Sequence, residues 1–422
     1  MAQLDDARPL TAAEKYYAFL DLVSPMNLMM VADLDRSLPL DLVAQRWREF
    51  AALRAVPRIR VHGDLTASLS GAADTEFRGS EQGSHEWDGE LSLLSRRPFG
   101  LDRAMLCRYL TSPGEDVSRI VFVGHHAMFD GRSGVAELQA FVRMLDGQPV
   151  PRRAGLPASR PSSNTYGWQS DRKQLLALLR DISERNNAAG PAEPKSWSRP
   201  AGSRVPRLQS LTLAQDEVAG LLAGARTHGS RVYSAIAASW LITVAEVLLP
   251  DRAAPTLQLA TPVDIADPAS DDDDPASPII SVVANRHRVT SDEPWQLATR
   301  IRGALESSLG RGEGELFFHL SRVDAIDDLE AGARVLDRSL AAAHPAVSVT
   351  NLGTIDPGTD PTWLRSMCGY LAPAPNQVVF VSGLGYRGRL VHSVSTDDSQ
   401  LSPQQSEALV AGYRARSTGL RP

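Results

Sequence analysis

Residues 120–145 constrain this chain more than any other stretch. Ile120-Val121-Phe122-Val123 is apolar at every position, which predicts a short strand buried on both faces. The strand delivers two consecutive histidines, His125 and His126, and Asp130-Gly131 follows. Beyond Gly131, Val135, Leu138, Phe141, Val142 and Leu145 recur at helical spacing, and Gly147 closes the pattern. The order is buried strand, tight loop, amphipathic helix, with titratable groups where the strand stops. Loops held by a rigid scaffold in this way are where chemistry usually sits.

Neighbouring side chains on extended backbone point to opposite sides, so one histidine can face a cavity while the other packs. A neutral imidazole is suited to taking a proton from a hydroxyl or an amine. Asp130 has two available roles: accepting hydrogen bonds from the loop backbone, or pairing with a buried arginine. Gly131 allows a turn that a Cβ would resist. The structural alternative is a core histidine pair with Asp130 as a helix N-cap. The whole array after a buried strand favours function.

His125-His126-Ala127-Met128-Phe129-Asp130-Gly131 resembles the HHxxxDG signature of the acyltransferase superfamily similar to chloramphenicol acetyltransferase. That superfamily includes nonribosomal peptide condensation domains and stand-alone acyltransferases of polyketides and lipids. The resemblance implies an α+β fold of two chloramphenicol acetyltransferase-like subdomains, V-shaped and two-lobed, with a central cleft or tunnel. It implies transfer of an acyl group from a thioester to a hydroxyl or amine of a secondary-metabolite acceptor. The donor would be acyl-CoA or an acylated phosphopantetheinyl carrier protein acting in trans, a co-substrate and not a bound cofactor. By position, His126 is the catalytic base, His125 a packing or hydrogen-bonding neighbour in the same motif, and Asp130 a structural residue bridged to an arginine of the second half. The same fold also admits a carrier-protein docking module, or a cyclisation or isomerisation in the cleft.

Further segments carry the resemblance. Thr261-Pro262-Val263-Asp264 resembles a Pro-Val-Asp-Leu-Arg element, with Ile265-Ala266 where Leu-Arg is common. Asn285-Arg286-His287-Arg288-Val289 places Arg288, or failing that Arg286, as the partner of Asp130; bidentate pairing suits arginine to that task. Val349-Thr350-Asn351-Leu352-Gly353 resembles a Ser/Thr-Asn-x-Gly turn, in which Asn351 either donates a hydrogen bond near the site or holds the turn. Ser133, Asn351 and backbone amides are the candidate oxyanion donors. The Asp-Phe-Gly-Trp-Gly box of plant members is absent.

A chain of 422 residues accommodates two cores of ordinary size. Pro-, Gly- and Ser-rich stretches at 148–161 and 187–202, flanking a predicted helix, suggest a first subdomain over 1–165, a crossover over 166–205 and a second subdomain over 206–422. Thr11-Ala12-Ala13-Glu14 predicts a capped helix. The stretch 71–89 is polar and poorly patterned and reads as loop with a strand or two. Val232–Leu249 is interrupted by Ser, Thr and Glu and reads as a buried core helix, not a membrane span. The net charge is -6 and no Lys/Arg cluster occurs, so nucleic acid is not an expected partner. Cys107 and Cys368 lack metal-ligand spacing, and no metal site is expected. Asp271–Asp274 reads as a solvated loop, with calcium as the alternative. The N-terminus lacks a signal-peptide pattern, so the cytoplasm and no membrane partner are the expectation; because the two halves can form the cleft within one chain, a monomer is expected.

Overall fold

The computed structural model describes residues 7–157, 172–193, 197, 204–265, 280–290, 294–316 and 323–419. The acidic run Asp271–Asp274, Ala266, the Phe317-Phe318-His319 segment and part of the expected crossover lie outside them.

Among the described residues the strands form three sheets. A small one joins β1 (Arg8–Pro9), β4 (Thr66–Leu69) and β3 (Ile59–Val61). The first large sheet has the order β12 (Leu364–Tyr370), β2 (Asn27–Leu34), β7 (Ser118–His125), β6 (Leu106–Thr111), β5 (Glu76–Glu81). The second runs β10 (Ile280–Arg288), β9 (Thr256–Asp264), β11 (Ala346–Ile355), β13 (Gln377–Tyr386), β14 (Arg389–Asp397), β8 (Pro206–Leu213). The helices are α1 (Ala12–Asp21), α2 (Leu40–Leu53), α3 (Trp87–Leu94), α4 (Gly131–Leu145), α5 (Arg172–Ala188), α6 (Gln215–Thr227), α7 (Val232–Leu248), α8 (Pro294–Gly310), α9 (Leu329–Ala342) and α10 (Pro403–Gly419).

The expected local signals build these elements. The Thr11 hydroxyl accepts from the Glu14 amide, and the Glu14 carboxylate accepts from the Thr11 amide, so both halves of the capping box form at α1. The α2 stripe buries Trp47 and Phe50 against Phe122 of β7 and Phe141 of α4, an aromatic cluster between helices and sheet. Helix α7 is buried along most of its length in the second core, beneath Leu257, Leu259, Val347, Val349 and Val381 of the second sheet. Among the described residues no single helix is long and apolar enough to cross a membrane. The stretch 71–89 holds a strand, β5, as expected, and also the start of α3, which was not expected. Leu91 of that helix is fully buried, so long-range packing decides it where local pattern did not.

The α+β class holds. The division at 206 does not follow the sheets: β12, from the second half, pairs antiparallel with β2 of the first, from Leu364↔Leu34 to Tyr370↔Met29. The connection to β12 is fastened to α4, because the buried Asp360 carboxylate accepts from Arg143 Nε (2.6 Å), Gln139 Nε2 (2.8 Å) and the Tyr386 hydroxyl (3.0 Å). Helix α9 also reaches across. Its Gly332 lies so close to Phe19 of α1 that a Cβ would stand 2.4 Å from the ring.

Candidate active site

Strand β7 is buried at every position, as its composition predicts, and its last residue, His125, pairs with Asn27 of β2. The two histidines diverge there. His125 is fully buried; its Nδ1 accepts from the Ala127 amide (3.0 Å), which puts the proton on Nε2, 3.5 Å from Asp21 Oδ2. Asp21 in turn accepts from the Met26 amide at 2.7 Å. His125 thus packs against the end of α1 and is not among the residues that line the cavity beside His126.

His126 turns the other way. Its amide donates to the Met26 carbonyl (3.1 Å), and its Nδ1 lies 3.2 Å from the Phe129 carbonyl. A carbonyl only accepts, so Nδ1 carries the proton and Nε2 is the basic nitrogen. The ring stacks on Tyr17 of α1, centroids 3.8 Å apart and planes 15° from parallel. Burial pushes His126 down to about 4, so the imidazole is neutral at physiological pH. Burial also pushes the Tyr16 and Tyr17 phenols up, so neither supplies a proton there.

Asp130 is the N-cap of α4. Its carboxylate accepts from the Ser133 amide (2.9 Å) and hydroxyl (3.0 Å), and its own amide donates to Ser133 Oγ (2.9 Å). Burial pushes its carboxyl up despite those bonds. The expected Asp130–Arg288 pair is not formed. Ile280 lies at the His126 end of β10, and Arg288 lies eight residues further, roughly 27 Å along the strand. Arg288 is exposed there, opposite Thr256, while Arg286 donates to the Asn186 and Gly190 carbonyls. Arg132 instead bridges the halves at the surface, donating to Asp264 at 3.0 Å. Ser133, occupied by Asp130, is not available as an oxyanion donor.

Gly131 is required for a different reason from the expected turn. It is not at positive φ, but an added Cβ would stand 2.5 Å from Leu352 of β11, so the second half presses on the loop here. Asn351 is exposed and holds the turn: its Oδ1 accepts from the Gly353 amide at 3.0 Å, with Gly353 at φ +88°. Its neighbours Thr350 and Leu352 face the cavity, as alternation on a strand requires.

His126 and Gly131 line a cavity of about 90 Å³ between the two large sheets. Tyr17, Met26 and Met30 wall it from the first half, and Leu352, Phe380 and Ser382 from the second. No Asp, Glu, Lys or Arg lines it among the described residues. Among those residues no group of three or more His, Cys, Asp or Glu side chains is placed to hold a metal. Sequence reasoning missed Tyr17 and the cavity wall of the second sheet. The helix bearing Tyr17 was readable, but nothing in its spacing ties that ring to a histidine more than a hundred residues away.

Solved structures share this architecture. Polyketide synthase associated protein 5 from Mycobacterium tuberculosis is 16% identical with a TM-score of 0.64, over 99% of this chain and 98% of that one. Trichothecene 15-O-acetyltransferase from Fusarium sporotrichioides is 11% identical with a TM-score of 0.73, over 99% and 95%. The first condensation domain of the calcium-dependent antibiotic synthetase is 14% identical with a TM-score of 0.66, over 100% and 98%. The chain carries the chloramphenicol acetyltransferase-like condensation fold. The family model for the C-terminus of phthiocerol/phthiodiolone dimycocerosyl transferase matches residues 202–367 of it. No curated protein matches the sequence. In this condensation fold the loop bearing His126 lies where strands of the two large sheets approach one another, β7 and β2 on one side and β11 on the other.

Proposed function

We propose that the protein is an acyltransferase that moves an acyl group from a thioester to a hydroxyl or amine of a secondary-metabolite acceptor, with His126 as general base. One observation carries the reading: a neutral imidazole, tautomer fixed by the Phe129 carbonyl, lines an apolar cavity walled by both halves.

The acceptor O–H or N–H gives its proton to His126 Nε2 as the acceptor attacks the thioester carbonyl. A tetrahedral oxyanion forms. Its collapse breaks the C–S bond, and the imidazolium returns the proton to the departing thiolate. The products are an ester or amide and a free thiol, and no acyl-enzyme is needed, because aligning two substrates supplies much of the rate. The stacked Tyr17 ring offers its face to the transient imidazolium and holds the imidazole plane. Asp130 acts through the loop, capping α4 so that Phe129 and His126 keep their positions.

The donor is acyl-CoA or a carrier protein in trans, the two halves form a V-shaped cleft within one monomer, and the reaction takes place in the cytoplasm without a resident cofactor. The test is release of free thiol from acyl thioesters of CoA and of carrier protein, with panels of alcohols and amines. Acceptor-dependent release that disappears in His126→Ala supports the reading. Release that persists in that variant overturns it. Capture of a carrier protein without transfer, or isomerisation of its bound acyl group, would favour the docking or isomerising alternative.

A further inference from the structure

We propose that the cavity beside His126 continues into a second chamber that holds an uncharged, linear hydrocarbon tail of one substrate. The acyl-transfer reading supplies the identity of the substrates; the chamber itself stands on geometry.

At about 90 Å³, the cavity at His126 is smaller than the roughly 150 Å³ void that takes up benzene. It has room for the reacting carbonyl and little else, so the rest of a substrate must extend beyond it. A void of about 310 Å³ adjoins it. Tyr16, Val282, Ala374 and Gln377 line both spaces and form the neck between them. Gln377 is held in place, since its Oε1 accepts from the Ala374 amide at 2.7 Å.

The chamber exists because one face of the second sheet carries small side chains. Ala260 of β9 and Ala284 of β10 are directly opposite in the ladder, and Ala346 of β11, paired with Gln258, lies on the diagonal from Ala260; all three alanines face the void together with Gln258. The alternate positions Leu257, Leu259 and Val347 point to the other side and fill the core against α7. Interiors pack to crystal-like density, so methyl groups where a core carries valine and leucine leave unfilled space. Leu336 and Leu340 of α9, with Ala343 just past its end, close the far wall, and exposed Ser339 lies at the outer rim.

Charge selects the ligand. No Asp, Glu, Lys or Arg lines either space among the described residues, and His126 is neutral. A tail ending in ammonium or carboxylate would lie there unpaired, which burial penalises heavily. A hydrocarbon tail has no such cost. The acyl chain of a thioester donor and the alkyl chain of an alcohol acceptor share this chemistry.

The full chain is titrated calorimetrically, without turnover, with acetyl-, octanoyl-, palmitoyl- and 8-aminooctanoyl-CoA, and with octanol and hexadecanol. Affinity is expected to rise on the order of two- to fourfold per buried methylene in one of the two series. The series that shows the rise identifies the substrate carrying the tail. If the thioesters show it, 8-aminooctanoyl-CoA binds at least about tenfold more weakly than octanoyl-CoA. Ala284→Phe fills the chamber and removes the gain from the long tail, leaving acetyl-CoA binding unchanged. Ala343→Phe, at the half-buried residue just past α9, makes the same test if Ala284→Phe fails to fold. Affinity independent of length in both series, or undiminished long-tail binding in a folded Ala343→Phe, overturns the proposal. Length-dependent binding without any acyl transfer leaves the chamber standing and sinks the transferase reading; transfer without length dependence does the reverse.

Discussion

The two walls of the central cavity are built on opposite principles. The wall from the first half is bulky and chemically armed: Tyr17, Met26 and Met30 crowd the space around His126. Beyond the neck, the wall from the second half is Ala260, Ala284 and Ala346, with no group that can exchange a proton. One wall is fixed by directed contacts, from the Ala127 amide donating to His125 to the Asp130 cap. The other is defined by what its side chains lack. Chemistry and selection are thereby separable, and substitutions on the two sides should fail in different ways.

The largest effect belongs to the first wall. His126→Ala is expected to lower kcat/KM by about 10²–10⁴-fold with the fold intact. A folded variant that keeps its turnover would erase the contrast between the walls. Acid is the next lever. Burial lowers His126 and His287 to about 4 and His392 to about 3, so each is neutral in the folded state and protonates readily only when unfolded. The unfolded chain therefore binds more protons between about pH 6.5 and 4, and stability falls as the pH drops through that window. The loss is on the order of 3 kcal/mol per histidine by pH 4, readable from urea midpoints at pH 7 and pH 4.5. On the same grounds the His126-dependent acidic limb of kcat/KM should stay flat down to about pH 5. A limb centred near 6.5 would contradict the buried, neutral base.

Smaller effects sharpen the division of labour. Asp130→Ala should cost about 1–2 kcal/mol through loss of the α4 cap, while Asp130→Asn, which still caps, should keep most of the stability in the same denaturation experiment. Equal losses would point to an ionic role instead. Tyr17→Leu keeps bulk and removes the stacked ring, so kcat should fall a few-fold, in line with about 0.5–1.5 kcal/mol for an aromatic pair, with binding of short thioesters little changed. A rise in KM at constant kcat would assign Tyr17 to substrate contact rather than to orienting the base.

What the sequence could reveal follows the same partition. The His126 array was legible because all its signals are local: a buried strand, a break, a cap and a helical stripe within about thirty residues. Arg288 misled because its distance from Asp130 depends on the register of β10 on β9, which no local pattern encodes. Asn351 was correctly ambiguous, and the Gly353 turn decided it. The alanine wall was invisible for a deeper reason: an alanine reads as space only after the facing elements are known. Strand β12 escaped too, since Leu364–Tyr370 lacks a clean alternation and acquires its place from β2.

That borrowed strand limits how the molecule can be loaded. With β12 hydrogen-bonded along β2, and Asp360 tying the preceding loop to α4, the halves are sewn together on one side of the cavity. Separating them completely would break that ladder, whereas a hinge along the seam keeps it intact. The molecule is bound like a book, with β12 as part of its spine, and a substrate of the proposed reaction would enter from the open edge.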